Sequence, residues 1–144
     1  MGLFKPSVKT LLKRGDAAGL VSRLDQKDMG EAWMALTVMG APAVPALIDA
    51  LGTERSDAAC GVLAEIGAPA LPGLVDLIAG DGSGREDADE RIEAAGTAVA
   101  TMRSNGVPLP EEEAGRLGSV QTDPQASAAR KAAAVLAQGL LGAG

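Results

Sequence analysis

The sequence predicts an all-α protein built from repeated helical hairpins, and three observations carry that reading. Residues 40–80 say one thing twice: GAPAVPALIDAL begins at Gly40 and GAPALPGLVDLI at Gly67, an offset of 27 residues. A period of this length marks stacked supersecondary units, each too small to bury its apolar face alone. Hydrophobic residues make up 47% of the chain but aromatic ones only 1%. The core is therefore Ala, Leu, Val, Ile and Met, which suits closely packed helices. Nineteen Gly and eight Pro are too many for long helices and fit punctuation between short ones.

The chain opens on LFKPSVKTLLKR, which predicts a short helix over residues 3–14 with Pro6 in its first turn. Phe4, Val8, Leu11 and Leu12 share one side, and Lys5, Lys9 and Lys13 form a stripe at i, i+4, i+8. Gly15 ends it. This helix either caps the first repeat with its lysines in solvent, the favoured reading, or anchors the protein on a partner or an anionic membrane surface.

The repeats follow. DAAGLVSRL, residues 16–24, falls on the central repeat when moved forward by 27. Leu20, Leu47 and Leu74 then form one column, Val21, Ile48 and Val75 a second, and Leu24, Leu51 and Ile78 a third. Each copy is the first helix of a hairpin. The second helices are expected over 28–39, with Ala32, Ala35, Leu36 and Met39 inward, and over 56–66, with Ala59, Val62, Leu63 and Ile66 inward. Gly40 and Gly67 are placed for left-handed helix stops. Pro42 and Pro69 enter the next helix, and Pro45 and Pro72 bend or delay its start. In the third repeat a polar, acidic insertion, residues 80–90, precedes a helix over 89–103. Its Ala95, Ala98, Val99 and Met102 match the inward set of the second repeat at an offset of 36, nine more than the period. A fourth, degenerate unit holds a short helix over 110–118, with Glu111, Glu112 and Glu113 in its first turn, and a terminal helix over 124–138 opened by Thr122 or Asp123. The domain reading is one unit, 1–144: N-terminal helix 1–15, then repeats 16–40, 41–67, 68–105 and 106–144.

The repeated words Gly-Ala-Pro-Ala-[Val/Leu]-Pro-x-Leu-[Ile/Val]-Asp-x-[Leu/Ile], preceded by Leu63-Ala64-Glu65-Ile66-Gly67, resemble the HEAT-repeat family, and within it the short HEAT-like repeats of phycobilin lyases. The resemblance implies a right-handed α-solenoid of about four hairpins, first helices convex and second helices concave. Its members are mostly scaffolds and adaptors, with a few enzymes. The chain departs from the family at the Asp-Pro-x-Val-Arg opening of the second helix. Only Asp123-Pro124 matches that opening, so stacking is expected to rest on apolar contacts rather than a polar ladder.

Net charge and composition narrow the function. Residues 1–27 hold six basic and two acidic residues, a net of +4, and the remainder holds seven basic and seventeen acidic, a net of −10. An acidic body is a poor surface for phosphates, so no nucleic acid is expected. The chain has no histidine, which removes Ser-His-Asp, Cys-His and His-containing metal chemistry. No catalytic residue, cofactor or metal is expected, although a lyase-like activity remains the alternative from the resemblance. A lone cysteine and no long apolar run lead to the expectation of a cytoplasmic protein. Cys60 reads as a small core residue rather than a reactive thiol. The acids of the insertion read as a solvated turn rather than a cation site. Trp33 either packs the core, the favoured reading, or presents an anchor to a partner. The expected function is protein binding through the concave face, with Trp33, Thr37, Glu65 and Arg91 as contacts and Lys5, Lys9 and Lys13 as a second set. The alternative is bilin-lyase-like handling of a chromophore or small ligand.

Overall fold

The computed structural model describes residues 6–80 and 89–138. Among them the chain is all-helical, with nine α-helices packed together and no strand. Lys5, Phe4 and almost all of the acidic insertion lie outside the described residues.

Helix α1 spans Val8–Arg14. It starts later than Pro6 because Ser7 is the cap: its hydroxyl accepts from the Thr10 amide at 3.1 Å. Asp16 caps α2 (Ala17–Val21) in the same way, accepting from Gly19 at 2.9 Å. This first helix is cut short. The Ser22 hydroxyl donates to the Gly19 carbonyl at 2.6 Å, and turns follow. Leu24 reaches its core position from those turns and is still only 2% exposed.

Helices α3 (Met29–Met39), α4 (Val44–Asp49), α5 (Ser56–Ile66) and α6 (Leu71–Ala79) follow the predicted hairpins closely. Gly40 and Gly67 do stop α3 and α5, but not in the left-handed helical conformation. Their φ, ψ of 68°, −132° and 78°, −136° lie in a region that essentially only glycine enters. One 3-10 turn follows each, Ala41–Ala43 and Ala68–Ala70, holding Pro42 and Pro69. The α-helix then begins at Val44 or Leu71, with Pro45 or Pro72 in its first turn, so these prolines delay the helix rather than bend it.

Helix α7 is Asp89–Ser104. Helix α8, Glu111–Thr122, is longer than expected, because Leu117 and Val120 both find the core. Helix α9, Ala128–Gln138, starts later than the expected 124. The Asp123 carboxylate accepts from the Gln125 amide at 2.8 Å and closes a turn instead of a helix. Ser127 takes over the capping role, accepting from the Arg130 amide at 3.2 Å.

Two rows of contacts organise these helices. Along one, α3 touches α5, α5 touches α7 and α7 touches α9; along the other, α2 touches α4, α4 touches α6 and α6 touches α8. The partners of each hairpin pack on one another, and α1 lies against α2 and α3. The core runs between the rows. The column Leu20, Leu47, Leu74 is 0% exposed throughout, as are Ala95, Ala98, Val99 and Met102. Ile48 breaks the second column and is only partly buried.

Polar contacts also cross between units. Asp49 and Asp76 hold equivalent repeat positions and each meets an arginine from further along the chain, Arg91 at 3.6 Å and Arg116 at 2.6 Å. Arg91 also donates to the Ile48 carbonyl at the end of α4. Arg130 likewise reaches the Leu77 and Ile78 carbonyls at the end of α6, at 2.8 and 3.1 Å. These side chains satisfy carbonyls that a helix terminus leaves open and complement its dipole. Stacking is therefore not purely apolar, as the missing Asp-Pro-x-Val-Arg words had implied.

Candidate functional site

The outward face of the second helices is fixed by what they bury. Leu36 of α3 is 0% exposed. Met34 and Val38 each lie two residues away, about 200° round the helix, so burying Leu36 turns both outward. They are 69% and 75% exposed, the most exposed of the large apolar side chains among the described residues. The equivalent positions are Gly61 and Glu65 on α5, and Thr97 and Thr101 on α7. One turn earlier, Gly30, Asp57 and Glu93 complete the face, all three exposed.

Trp33 joins α3 to α5 across this surface. It is half-buried and packs against the core cluster. Its ring lies over Gly61, where a Cβ would stand 2.3 Å from indole Cη2. Its Nε1 donates to Glu65 Oε2 at 3.0 Å. Thr37, one turn along, has a single hydroxyl proton. The Trp33 carbonyl at 2.9 Å is its better acceptor, and Glu65 Oε2 stands further off at 3.4 Å. Three expected site residues, Trp33, Thr37 and Glu65, are thus brought together. Trp33 packs between two helices and is half-buried, which matches the favoured packing reading.

Arg91 is not part of this group. Its guanidinium is held on the far end of α4, against Asp49 and the Ile48 carbonyl, and its stem lies against Gly52. Its role there is to join units. Lys9 and Lys13 are exposed on α1, where Val8 and Leu11 supply the buried side. Lys5 lies outside the described residues.

Cys60 sits in the same column as Trp33 and faces the next helix, its thiol donating to the Ala94 carbonyl at 3.4 Å. Burial, with the Asp57 carboxylate adding to it and a Ser56 hydrogen bond opposing, pushes the thiol up from 9.0 to about 11. A thiol held protonated is a poor nucleophile, in keeping with the packing role. Among the described residues no three His, Cys, Asp or Glu side chains gather where they would hold a metal. No described helix is long and apolar enough to cross a membrane by itself.

Two features escaped the sequence reading. Arg23 counted only as part of a basic N-terminus, yet it is 7% exposed. It pairs with Asp28 at 2.6 Å and donates to the Pro6 carbonyl, tying the chain before α1 to the start of α3. No local pattern marks it, since its partners are set by the fold. Gly61 was equally silent, although a glycine amid alanines, one position after the column of Trp33, was a legible sign of close approach. Elsewhere, an open cleft of about 230 Å³ between α2 and α4 is lined by Ala18, Val21, Ala46, Asp49 and Arg55. Its charges are engaged: Arg55 with Asp25 at 3.5 Å, and Asp49 with Arg91.

No protein-family model matches the chain, and neither a curated protein nor a solved structure is similar to it.

Proposed function

We propose that this protein is a non-catalytic binding scaffold or adaptor, built as a HEAT-like solenoid, that takes a protein partner on the outward face of α3 and α5. The observation that carries this reading is the exposure of Met34 and Val38, 69% and 75%, beside a half-buried tryptophan. Exposed apolar side chains that adjoin one another, rather than lying scattered, mark interaction surfaces. An indole held at one edge by a carboxylate is preorganised, so less side-chain freedom is lost on contact. The ordered rows of helices support the solenoid reading, in which this face is the concave one. Cytoplasmic residence belongs to the same proposal.

The test is affinity purification of the protein and of a Met34→Gln/Val38→Gln variant, with partners identified by mass spectrometry. Both positions are solvent-facing, so the variant is expected to keep its helical content and melting temperature. The expected result is a defined protein retained by the parent chain and lost from the variant. Equal retention by both, or loss only on changing the helices of the other row, removes the reading.

A further inference from the structure

The binding face has a sign as well as an apolar stripe, and this deepens the proposed function and rests on it. We infer that its partner is a cationic segment carrying apolar side chains at helical spacing, a basic amphipathic helix laid along α3 and α5. The apolar half of the argument is Met34 and Val38, one turn apart on one helix and both open to solvent. Gly61, at the position of Met34 on the next helix, lies beside the edge of the indole. Together they form a stripe of the length that i, i+4 anchors of a partner helix would cover.

The charged half comes from the next two helices. Asp57 and Glu65 on α5, and Glu93 on α7, are all exposed, a charge of −3 on the face with no lysine or arginine at the equivalent positions of α3, α5 or α7. Glu65 accepts from Trp33 Nε1 on Oε2, so Oε1 remains to receive a cation. The arginines of α7 do not neutralise the face. Arg91 is drawn back to α4, and Arg103 donates to the Ala137 carbonyl of α9 at 3.4 Å. A carboxylate field beside an apolar stripe attracts Lys and Arg and repels acidic peptides, and it also repels anionic lipid. Charge thereby sets the choice of partner, while the apolar contact sets how long it stays.

The experiment uses the full chain and four fluorescent peptides of one length. Three share a leucine stripe at helical spacing and carry Lys, Gln or Glu elsewhere; the fourth carries Lys without the stripe. Binding is read by fluorescence anisotropy at about 50 and about 200 mM salt, where screening lengths differ. The striped Lys peptide is expected to bind at least about tenfold tighter than the other three and to weaken with salt. Asp57→Lys/Glu93→Lys and Met34→Gln/Val38→Gln are each expected to weaken it about tenfold with circular dichroism unchanged. Equal or tighter binding of the Gln or Glu peptide overturns the inference. So do equal binding of the stripeless Lys peptide, indifference to both double variants, preferential binding to phosphatidylserine vesicles, or no peptide binding at all. The proposed function fails separately. If affinity purification still yields a partner that Met34→Gln/Val38→Gln loses, the face stands and only its charge preference falls.

Discussion

At the scale of single residues, chemical character is set by neighbours the residue cannot choose. Cys60 is a solitary thiol in sequence and an unreactive one in the fold, because burial and Asp57 both oppose its charged form. The direction of the pH dependence follows. With a folded value of about 11 against an ordinary 9.0, the native thiol stays protonated where an unfolded one ionises. Its contribution to stability is whole below pH 9.0 and is lost as pH rises toward about 11. At pH 8, alkylation of native protein by iodoacetamide is expected to run up to about a hundredfold slower than in denaturant, reflecting the thiolate fraction. Equal rates would show that Cys60 is exposed and unshifted. Trp33 illustrates the same point from the opposite side. Its spacing placed it beside the inward set, but only the notch at Gly61 and the carboxylate of Glu65 decide how its ring lies.

At the scale of helices, one column of residues accounts for how closely the second helices approach. Trp33, Cys60 and Gly96 occupy equivalent positions and each faces the next helix in the row. The side chain shrinks along the chain, and the last pair meets backbone to backbone. A Cβ on Gly96 would stand 2.9 Å from both the Cα and the carbonyl oxygen of Ala133. Backbone atoms give way less readily than the end of a flexible side chain, so Gly96→Ala is expected to destabilise by about 1–3 kcal/mol. Gly115, exposed on α8 with nothing within 4 Å of its Cβ site, provides the contrast. There the same substitution only removes backbone freedom from the unfolded chain, and it is expected to stabilise by about 0.5–1 kcal/mol. Denaturant titration of the two variants reads both signs. A destabilising Gly115→Ala, or a neutral Gly96→Ala, contradicts this account of the packing. Element boundaries obey equally local rules. Ser7 and Ser127 cap α1 and α9, each hydroxyl accepting from an amide that the helix start leaves open.

At the scale of the whole molecule, α9 is the element on which the C-terminal half depends. It packs on α6, α7 and α8, and its Arg130 closes the end of α6. Removing residues 128–144 uncovers the Gly96 surface and leaves the α6 carbonyls without that partner. The shortened chain is expected to melt at a lower temperature than the full one and to bind a hydrophobic dye at room temperature. An unchanged melting curve would show that α9 is an ornament on a core complete without it. The sequence by itself determined the all-helical class, most of the inward columns (Ile48, Met39 and Ile66 being only partly buried) and the bounds of α3 and α5. All of these follow from periodicity and from where glycine and proline stop a helix, which are properties of neighbours in the chain. It also singled out Trp33, Thr37 and Glu65, but a 27-residue offset places Trp33 with Cys60 and Glu65 with Val38, so the contact among the three is not given by the period. Only the tertiary structure decided that Arg91 serves α4 rather than that face, that Arg23 is buried against Asp28, and that Gly61 receives the indole. Those outcomes depend on contacts across tens of residues, where the approach and rotation of packed helices choose among partners that local spacing leaves equivalent.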